Sequence, residues 1–311
     1  MRTLRQRFLM WSLTRFLHAV RRRLARDPSP LRVRRDMAAF DRRLAGLLKA
    51  RRSPPVALPN CLAHWVESQG EHDRVILYLH GGAFVAAAPN AHGLLLEKLC
   101  EHAGARGFYV DYRLAPEHAF PAASDDCLDA YRFLLDSGVP PGSIAIAGDS
   151  AGGNLTLGTT LRIRDGGLPL PAALLMMSPV LDATFSGASV VRNDGLDPLF
   201  RASVFEALGR QYVPEASRRD PYVSPIFADL SGLPPSMVLV GSSELLLDDS
   251  VRFAQRAPGA VLEVWHAMPH VFPAMHGLPE AAEAIRGMGE FLRRHVEPAA
   301  AANRGSGPEV R

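Results

Sequence analysis

Cysteine is scarce in this chain of 311 residues, which contains only Cys61, Cys100 and Cys127. Because the three are odd in number and not closely paired, neither a disulfide framework nor a CxxC metal knuckle is predicted. No apolar run approaches the roughly 20 residues that a membrane span needs. Arg15 cuts short the apolar stretch of residues 8–13, and no small-residue cleavage site follows, so we expect no secretory signal. These absences predict a cytoplasmic protein without a metal site.

The composition is that of an ordinary globular protein. The chain is 47% hydrophobic, 22% charged and 7% aromatic, and these values exclude a collagen-like or disordered chain. A single hydrophobic core can still organise a chain of this length, so we expect one domain with an elaboration.

Positive charge is concentrated at the start of the chain. Residues 1–52 hold 16 Lys and Arg against three Asp, a local balance of +13, whereas the whole chain has a formal charge of +3. A basic arm of this kind can contact nucleic acid or an anionic membrane, but a solvated helix face is the commoner explanation. We therefore expect no nucleic-acid partner, and peripheral membrane contact by the basic N-terminal helix stays open.

Two amphipathic patterns precede the main body. Apolar residues recur at helical spacing from Leu4 to Leu24 and again from Met37 to Leu48, and prolines follow both stretches. Each pattern predicts a helix whose apolar stripe must be covered.

Short apolar runs then alternate with longer helical patterns. The predicted strands are residues 75–79, 107–112, 144–147, 172–177, 237–240 and 261–265. The predicted helices are residues 94–103, 124–135, 154–164, 250–256 and 279–295. This alternation predicts an α/β fold with a doubly wound, mostly parallel sheet.

Two segments depart from the alternation. Residues 183–233 contain two helix-like pieces and many turns, and we expect them to form an insertion over the carboxyl edge of the sheet, where ligands bind in such folds. Residues 299–311 are polar and lack periodicity, so we expect a disordered tail.

The segment Gly148-Asp149-Ser150-Ala151-Gly152 is the only G-x-S-x-G motif in the chain. Its flanking patterns place Ser150 on a turn between a buried strand and a helix. Small neighbours leave the hydroxyl protruding there, and the helix directs its positive end at the reaction. We predict that Ser150 is a nucleophile, with a Gly-rich helix start as the structural alternative.

A nucleophilic serine needs a base, which a third group must orient. In the chain order nucleophile, acid, base, the candidate bases follow the last strand: His266, His270, His276 and His295. We select His270 because it lies in the loop just beyond that strand. Glu244 is the first carboxylate past the preceding strand and is the predicted acid. Asp248 is the alternative, although capping of a helix also explains it.

Backbone amides must also stabilise the oxyanion of a tetrahedral intermediate. Residues 79–84 follow a predicted strand, and their small side chains let the backbone approach a substrate oxygen. We assign Gly81, Gly82, Ala83 and Ala151 to the oxyanion hole: Gly82, Ala83 and Ala151 as donors, and Gly81 as the residue that permits the turn. A plain glycine turn is the structural alternative.

Three segments together resemble the hormone-sensitive-lipase-like family of α/β hydrolases, the group IV bacterial esterases. They are residues 80–84, residues 111–122 and residues 148–153. The resemblance implies an α/β-hydrolase fold with an eight-stranded, mostly parallel sheet and helices on both faces. It further implies that residues 1–52 and the insertion form a helical cap on a catalytic domain of residues 53–298. A homodimer is favoured.

The resemblance also implies cofactor-free hydrolysis of carboxylic esters, commonly with short acyl chains. This chain departs from the family pattern at Glu244, where the family usually has Asp, at Val271, which replaces the glycine of H-G-F, and at Ala83, the third small residue of the oxyanion segment. The required chemical groups are all retained.

The resulting hypothesis is a carboxylic ester hydrolase that acts on short-to-medium acyl esters through an acyl-enzyme. The predicted substrate-pocket walls are Phe84, Phe185, Leu196 and Val271. A non-catalytic small-molecule-binding protein on the same fold is the alternative. Thioesterase, lactonase and amidase activities use the same machinery, and the sequence does not separate them.

Overall fold

Eight strands form one sheet in the computed structural model, which describes residues 4–45, 50–68 and 72–299. The strands are β1 Val56–Ala57, β2 Leu62–Val66, β3 Arg74–Leu79, β4 Ala105–Asp111, β5 Ile144–Asp149, β6 Ala173–Met177, β7 Ser236–Gly241 and β8 Val261–Trp265. Their order is β1-β2-β4-β3-β5-β6-β7-β8. In this order, the neighbouring pairs β4–β3, β3–β5, β5–β6, β6–β7 and β7–β8 are parallel. The pairs β1–β2 and β2–β4 are antiparallel. The predicted mostly parallel α/β sheet is confirmed.

The six strands predicted from apolar runs correspond to β3 through β8. Periodicity did not predict β1 and β2. The strand β1 has only two residues, and β2 pairs on both sides but mixes His64 and Trp65 among its apolar residues. A buried parallel strand shows a nearly continuous apolar run, which these two segments lack.

The α-helices of the described residues cover both faces of the sheet. They are α1 Leu4–Arg26, α2 Pro30–Ala45, α3 Pro89–Ala103, α4 Ala122–Asp136, α5 Ala151–Asp165, α6 Ala188–Arg192, α7 Ala202–Tyr212, α8 Leu247–Arg256 and α9 Pro279–His295. The predicted helices overlap these elements. Leu47 and Leu48 of the second predicted helix, and residues 300–311 of the predicted tail, lie outside the described residues.

Alternation along the strands divides the core into two layers. On β3, Leu77 and Leu79 point into a layer that contains side chains of α4, α5 and α8, whereas Ile76 and Tyr78 point into a layer with α3 and α9. Because both faces of β3 are buried, this strand consists almost entirely of apolar residues. Burial of a Leu or Ile side chain contributes about 1.5–3 kcal/mol, so the two layers fix the sheet between the helices.

The carboxyl ends of the parallel strands meet at one edge of the sheet. At this edge the chain passes from β5 directly into α5, which starts at Ala151. A Cβ atom added to Gly152 would collide with the carbonyl oxygen of Leu79 at the end of β3. Glycine at this position therefore lets α5 begin against the sheet and brings the start of the helix to the edge.

The basic N-terminal helices pack onto the rest of the chain. Leu17 of α1 is buried, and α1 contacts α7 of the insertion. The Arg34 guanidinium of α2 pairs with Glu117 and donates to the carbonyl oxygen of Ala115. Of the helices in the described part of the chain, none is long and apolar enough to cross a bilayer.

Candidate active site

Ser150 occupies the turn between β5 and α5 in a backbone conformation that non-glycine residues rarely adopt. Its φ is 53° and its ψ is −116°. Its amide donates to the carbonyl oxygen of Met177 over 2.8 Å, and its carbonyl oxygen accepts the amide of Val180 over 3.2 Å. Strain of this kind persists only where surrounding contacts determine it, and it is typical of a nucleophile on a strand-to-helix turn.

The structure brings two further predicted residues, His270 and Glu244, into contact. The Nδ1 atom of His270 lies 2.7 Å from Oε2 of Glu244, and both side chains are buried. Glu244 follows β7 and His270 follows β8, so the pair lies at the same edge of the sheet as Ser150. Because the carboxylate engages Nδ1, that nitrogen carries the proton and Nε2 of the neutral ring is an acceptor.

The alternative acid, Asp248, lies elsewhere. Its carboxylate accepts the amide of Ser189 over 2.9 Å and an Nη2 hydrogen of Arg192 over 3.1 Å, both on α6. The next residue, Asp249, accepts the amides of Leu181 and Asp182 where the chain leaves β6. The two aspartates thus hold the start of the insertion rather than contact the histidine.

The electrostatics of His270 favour its protonated form. Burial lowers the pKa of His270, but the hydrogen bond with Glu244 and the charges of Glu244, Asp197 and Asp149 outweigh it and leave that pKa above its ordinary value. A raised pKa means that the imidazolium which forms when the ring takes a proton is stabilised by its neighbours. This is the behaviour that a general base requires.

Ser178 is a site residue that our sequence analysis did not identify. It follows β6, and its hydroxyl donates to Oε1 of Glu244 over 2.8 Å while accepting the amide of Val271 over 3.1 Å. Its neighbour Met177 accepts the amide of Ser150. A polar residue at the carboxyl end of a buried strand was the signal that could have identified it.

A buried carboxylate shapes residues 79–84, the predicted oxyanion segment. Oδ1 of Asp149 accepts the amide of Gly81 over 3.0 Å and the hydroxyl of Tyr78 over 2.6 Å. The carboxylate also lies 3.6 Å from Nε2 of His92. Burial raises the pKa of Asp149, but His92 and these hydrogen bonds outweigh it and bring it to about 2. Gly81 therefore donates to Asp149, and its part in the predicted hole is to shape the turn.

The remaining predicted donors lie on turned backbone. Gly82 and Ala83 both have positive φ values, 126° and 54°. A Cβ at Gly82 would collide with the carbonyl oxygen of Ala86, so the turn requires glycine there. Ala151 is the first residue of α5, and the first amides of a helix have no intrahelical acceptor.

The predicted pocket walls lie in different surroundings. Phe84 is buried and stacks on Tyr212 with ring centroids 3.7 Å apart, and Phe185 stacks on Phe205 at 5.7 Å. Val271 is buried beside His270. Leu196 is 65% exposed and lines a cavity of about 220 Å³ between α1 and residues 267–269. The assignment of these side chains to a substrate pocket stays a prediction.

Comparisons with known proteins agree with this architecture. A family model described as an alpha/beta hydrolase fold matches residues 76–274. The chain is 39% identical over 243 residues to an acetyl-hydrolase of Streptomyces hygroscopicus, with 76% of this chain and 81% of the relative covered. It is 37% identical over 243 residues to an esterase of Acinetobacter venetianus, with 76% and 80% covered. A solved esterase of the bacterial hormone-sensitive lipase family superimposes with a TM-score of 0.85 at 34% identity, with 96% of this chain and 100% of that chain covered.

By sequence and by fold, the chain belongs to the hormone-sensitive-lipase-like esterases of the α/β-hydrolase superfamily, and it is a serine carboxylesterase. The resemblance inferred from three short segments is thus confirmed over most of the chain.

Proposed function

We propose that the protein hydrolyses short-to-medium acyl esters through an acyl-enzyme, with Ser150 as nucleophile, His270 as base and Glu244 as orienting acid. The observation that carries the proposal is the buried His270–Glu244 hydrogen bond of 2.7 Å. It lies at the edge of the sheet where Ser150 adopts its strained turn. Ser178 supports the assignment, because it contacts Glu244 directly and is adjacent to the residue that holds the Ser150 amide.

In the first step, Oγ of Ser150 attacks the ester carbonyl carbon while Nε2 of His270 takes the hydroxyl proton. The Glu244 carboxylate accepts the Nδ1 hydrogen and stabilises the imidazolium. The amides of Gly82, Ala83 and Ala151 stabilise the negative carbonyl oxygen. When the ester C–O bond breaks, the leaving alkoxide takes the proton from His270. Water then repeats the sequence on the acyl-enzyme, which releases the acid and restores Ser150.

We propose that residues 1–52 and the insertion of residues 183–233 form a cap over this site. Leu17 is buried at the contact of α1 with the insertion, and Arg21 donates to the carbonyl oxygens of Gly195 and Asp197 over 3.0 and 2.7 Å. Phe200 of the insertion packs edge-on against the ring of His270 with centroids 5.0 Å apart. A cap that reaches the base in this way limits the space for the acyl chain, which favours short-to-medium esters.

The test is turnover of p-nitrophenyl esters across a series of acyl lengths. We expect activity to peak at short-to-medium chains, and Ser150→Ala should lower kcat at least about 10⁴-fold because it removes the nucleophile. A Ser137→Ala variant, which makes the same substitution at an exposed serine just after α4, serves as the folded control. Wild-type turnover by Ser150→Ala would reject the mechanism, and ligand binding without turnover by the wild type would favour a non-catalytic binding protein.

Three further expectations concern the setting of the enzyme. The homodimer that the family resemblance favours can be tested by sedimentation velocity. The cytoplasmic location stays a prediction from the sequence. Peripheral contact of α1 with an anionic membrane is the alternative to a purely cap role for that helix, and charged vesicles distinguish the two.

A further inference from the structure

Asp197 is a buried carboxylate that the mechanism above does not use. It lies in the insertion between α6 and α7 and is 1% exposed. Its Oδ1 atom accepts the amides of Leu199 and Phe200 over 2.8 and 3.0 Å. Its Oδ2 atom accepts the amide of Leu245 over 3.1 Å. The carboxylate therefore joins the insertion to the loop that carries the acid.

The groups that Asp197 holds lie on both sides of the acid–base pair. Leu245 follows Glu244 directly, so fixing its amide fixes the start of the acid loop. Phe200 packs edge-on against the ring of His270, so fixing its amide places an apolar wall against the base. Asn193, four residues before Asp197, adds a hydrogen bond of 2.7 Å to the carbonyl oxygen of Glu244.

The charge of Asp197 also acts on the pair. Burial of the ring lowers the pKa of His270, but the hydrogen bond with Glu244 and the charges of Glu244, Asp197 and Asp149 raise it above its ordinary value. Burial and the charge of Glu244 raise the pKa of Asp197, whereas His270 and the amides of Phe200 and Leu199 lower it. The net result is a pKa of Asp197 above its ordinary value. The amide hydrogen bonds favour its charged form against burial, and a second negative charge near the ring favours imidazolium.

The position of Asp197 is tied in turn to the N-terminal helix. Nη1 of Arg21 donates to the carbonyl oxygens of Gly195 and of Asp197 itself. The contacts thus run from α1 through the backbone of residues 195–197 to the acid loop.

We propose that Asp197 is a positioning residue for His270 and Glu244: its carboxylate fixes the acid loop and the Phe200 wall, and its negative charge supports the imidazolium formed during catalysis. The inference rests on the proposed function, since it assigns Asp197 a role in the same reaction.

The test compares Asp197→Asn with the wild type in kcat, KM and the pH profile of kcat/KM, measured by pH-stat. His270 must be neutral to act as a base, so kcat/KM falls as pH drops through the pKa of the free enzyme's base. Removal of the Asp197 charge destabilises imidazolium, so the acidic limb should move to lower pH. We expect kcat to fall about tenfold with KM nearly unchanged, because the lost interaction is stronger in the transition state.

Asp194→Asn is the matched control. Asp194 lies three residues away, pairs with Arg201 over 2.9 Å and accepts the amide of Ala202. This variant should keep both the wild-type rate and the wild-type acidic limb. If Asp197→Asn does not fold, Asp197→Ser provides the second test, because a serine hydroxyl can still accept backbone amide hydrogens while the charge is gone.

If the acidic limb of the kcat/KM profile does not move in a folded Asp197 variant, the proposal is overturned. Failure of both variants to fold beside a folded control would also overturn it, since Asp197 would then have a purely structural role. Either result leaves the triad assignment intact, because that assignment depends on the separate loss of activity in Ser150→Ala.

Discussion

At the scale of single residues, burial and partners distinguish side chains of the same chemical type. Glu244, Asp248 and Asp249 occur within six positions of one another, yet only Glu244 contacts His270. Its second oxygen accepts the hydroxyl of Ser178 and the amide of Gly241, so the carboxylate is fixed at both oxygens. A carboxylate held in this way orients the imidazole.

Glu244→Gln should therefore lower kcat about 10³- to 10⁴-fold, because the neutral amide no longer stabilises the imidazolium or the required tautomer. Asp248→Asn should lower it by no more than about tenfold, because that carboxylate pairs with a half-exposed arginine at the surface. Steady-state kinetics on one ester measures both variants. A larger loss from Asp248→Asn than from Glu244→Gln would show that the acid is misassigned.

The sequence offered Ser150, His270 and Glu244 as candidates because each follows a strand in the chain order nucleophile, acid, base of α/β hydrolases. The structure brings His270 and Glu244 into contact, and their catalytic roles stay a prediction. The sequence could not predict Phe200 or Asp197 as neighbours of the pair, and for Ser178 it offers only the weak signal of a polar residue at the end of a buried strand. Ser178 is one of many serines, and Phe200 and Asp197 lie in a segment without regular periodicity. Their proximity to His270 depends on how the insertion folds back over the sheet edge, which local pattern does not encode.

At the scale of elements, the junction of β5 and α5 sets the position of the nucleophile. The strand ends at Asp149, the helix begins at Ala151, and Ser150 is the single residue between them. Such a sharp reversal brings the first turn of α5 against the end of β3. The close contact of Gly152 with the Leu79 carbonyl permits this approach.

Gly152→Ala should destabilise the protein by about 2–3 kcal/mol, because the added methyl group would overpack a site bounded by backbone atoms that cannot move aside. Gly142→Ala is the control, since a Cβ there meets no heavy atom of the described residues within 4 Å. Urea denaturation of both variants measures the free energies of unfolding. Equal stability of the two would show that α5 can shift away from β3 without cost.

At the scale of the whole molecule, the positive charge is concentrated in the segment that we propose as part of the cap. The local balance of +13 in residues 1–52 offsets a net negative remainder. The described part of this segment contains α1 and α2, and α1 contacts α7 of the insertion. One face of α1 is buried through Leu17, while the opposite face exposes Arg22 and Arg26. Phe16, 51% exposed, adds an apolar side chain on the outer surface of α1. The same helix thus has a packed face and an exposed basic face.

Removing residues 1–26 should change the acyl-chain preference or lower the stability, because Leu17 and Arg21 hold the insertion that contacts the base. The full-length variant with Arg22→Glu and Arg26→Glu should keep the wild-type preference, since those side chains face solvent. Co-sedimentation with anionic liposomes tests the alternative. Vesicle binding by the wild type that is lost in the charge-reversed variant, and that weakens with salt, would identify α1 as a membrane contact.

The sequence by itself determined the strands β3 to β8, the turn at Ser150 and the order of the three candidate catalytic residues. Each of these depends on local properties: the length of an apolar run, the small residues of a tight turn, and the place of a polar residue after a strand. Only the tertiary structure decided which carboxylate meets His270, how Ser178 and Asp197 surround the pair, and where β1 and β2 join the sheet. These depend on contacts between segments far apart in the chain, where burial and hydrogen-bond geometry select among groups that the sequence presents as equivalent.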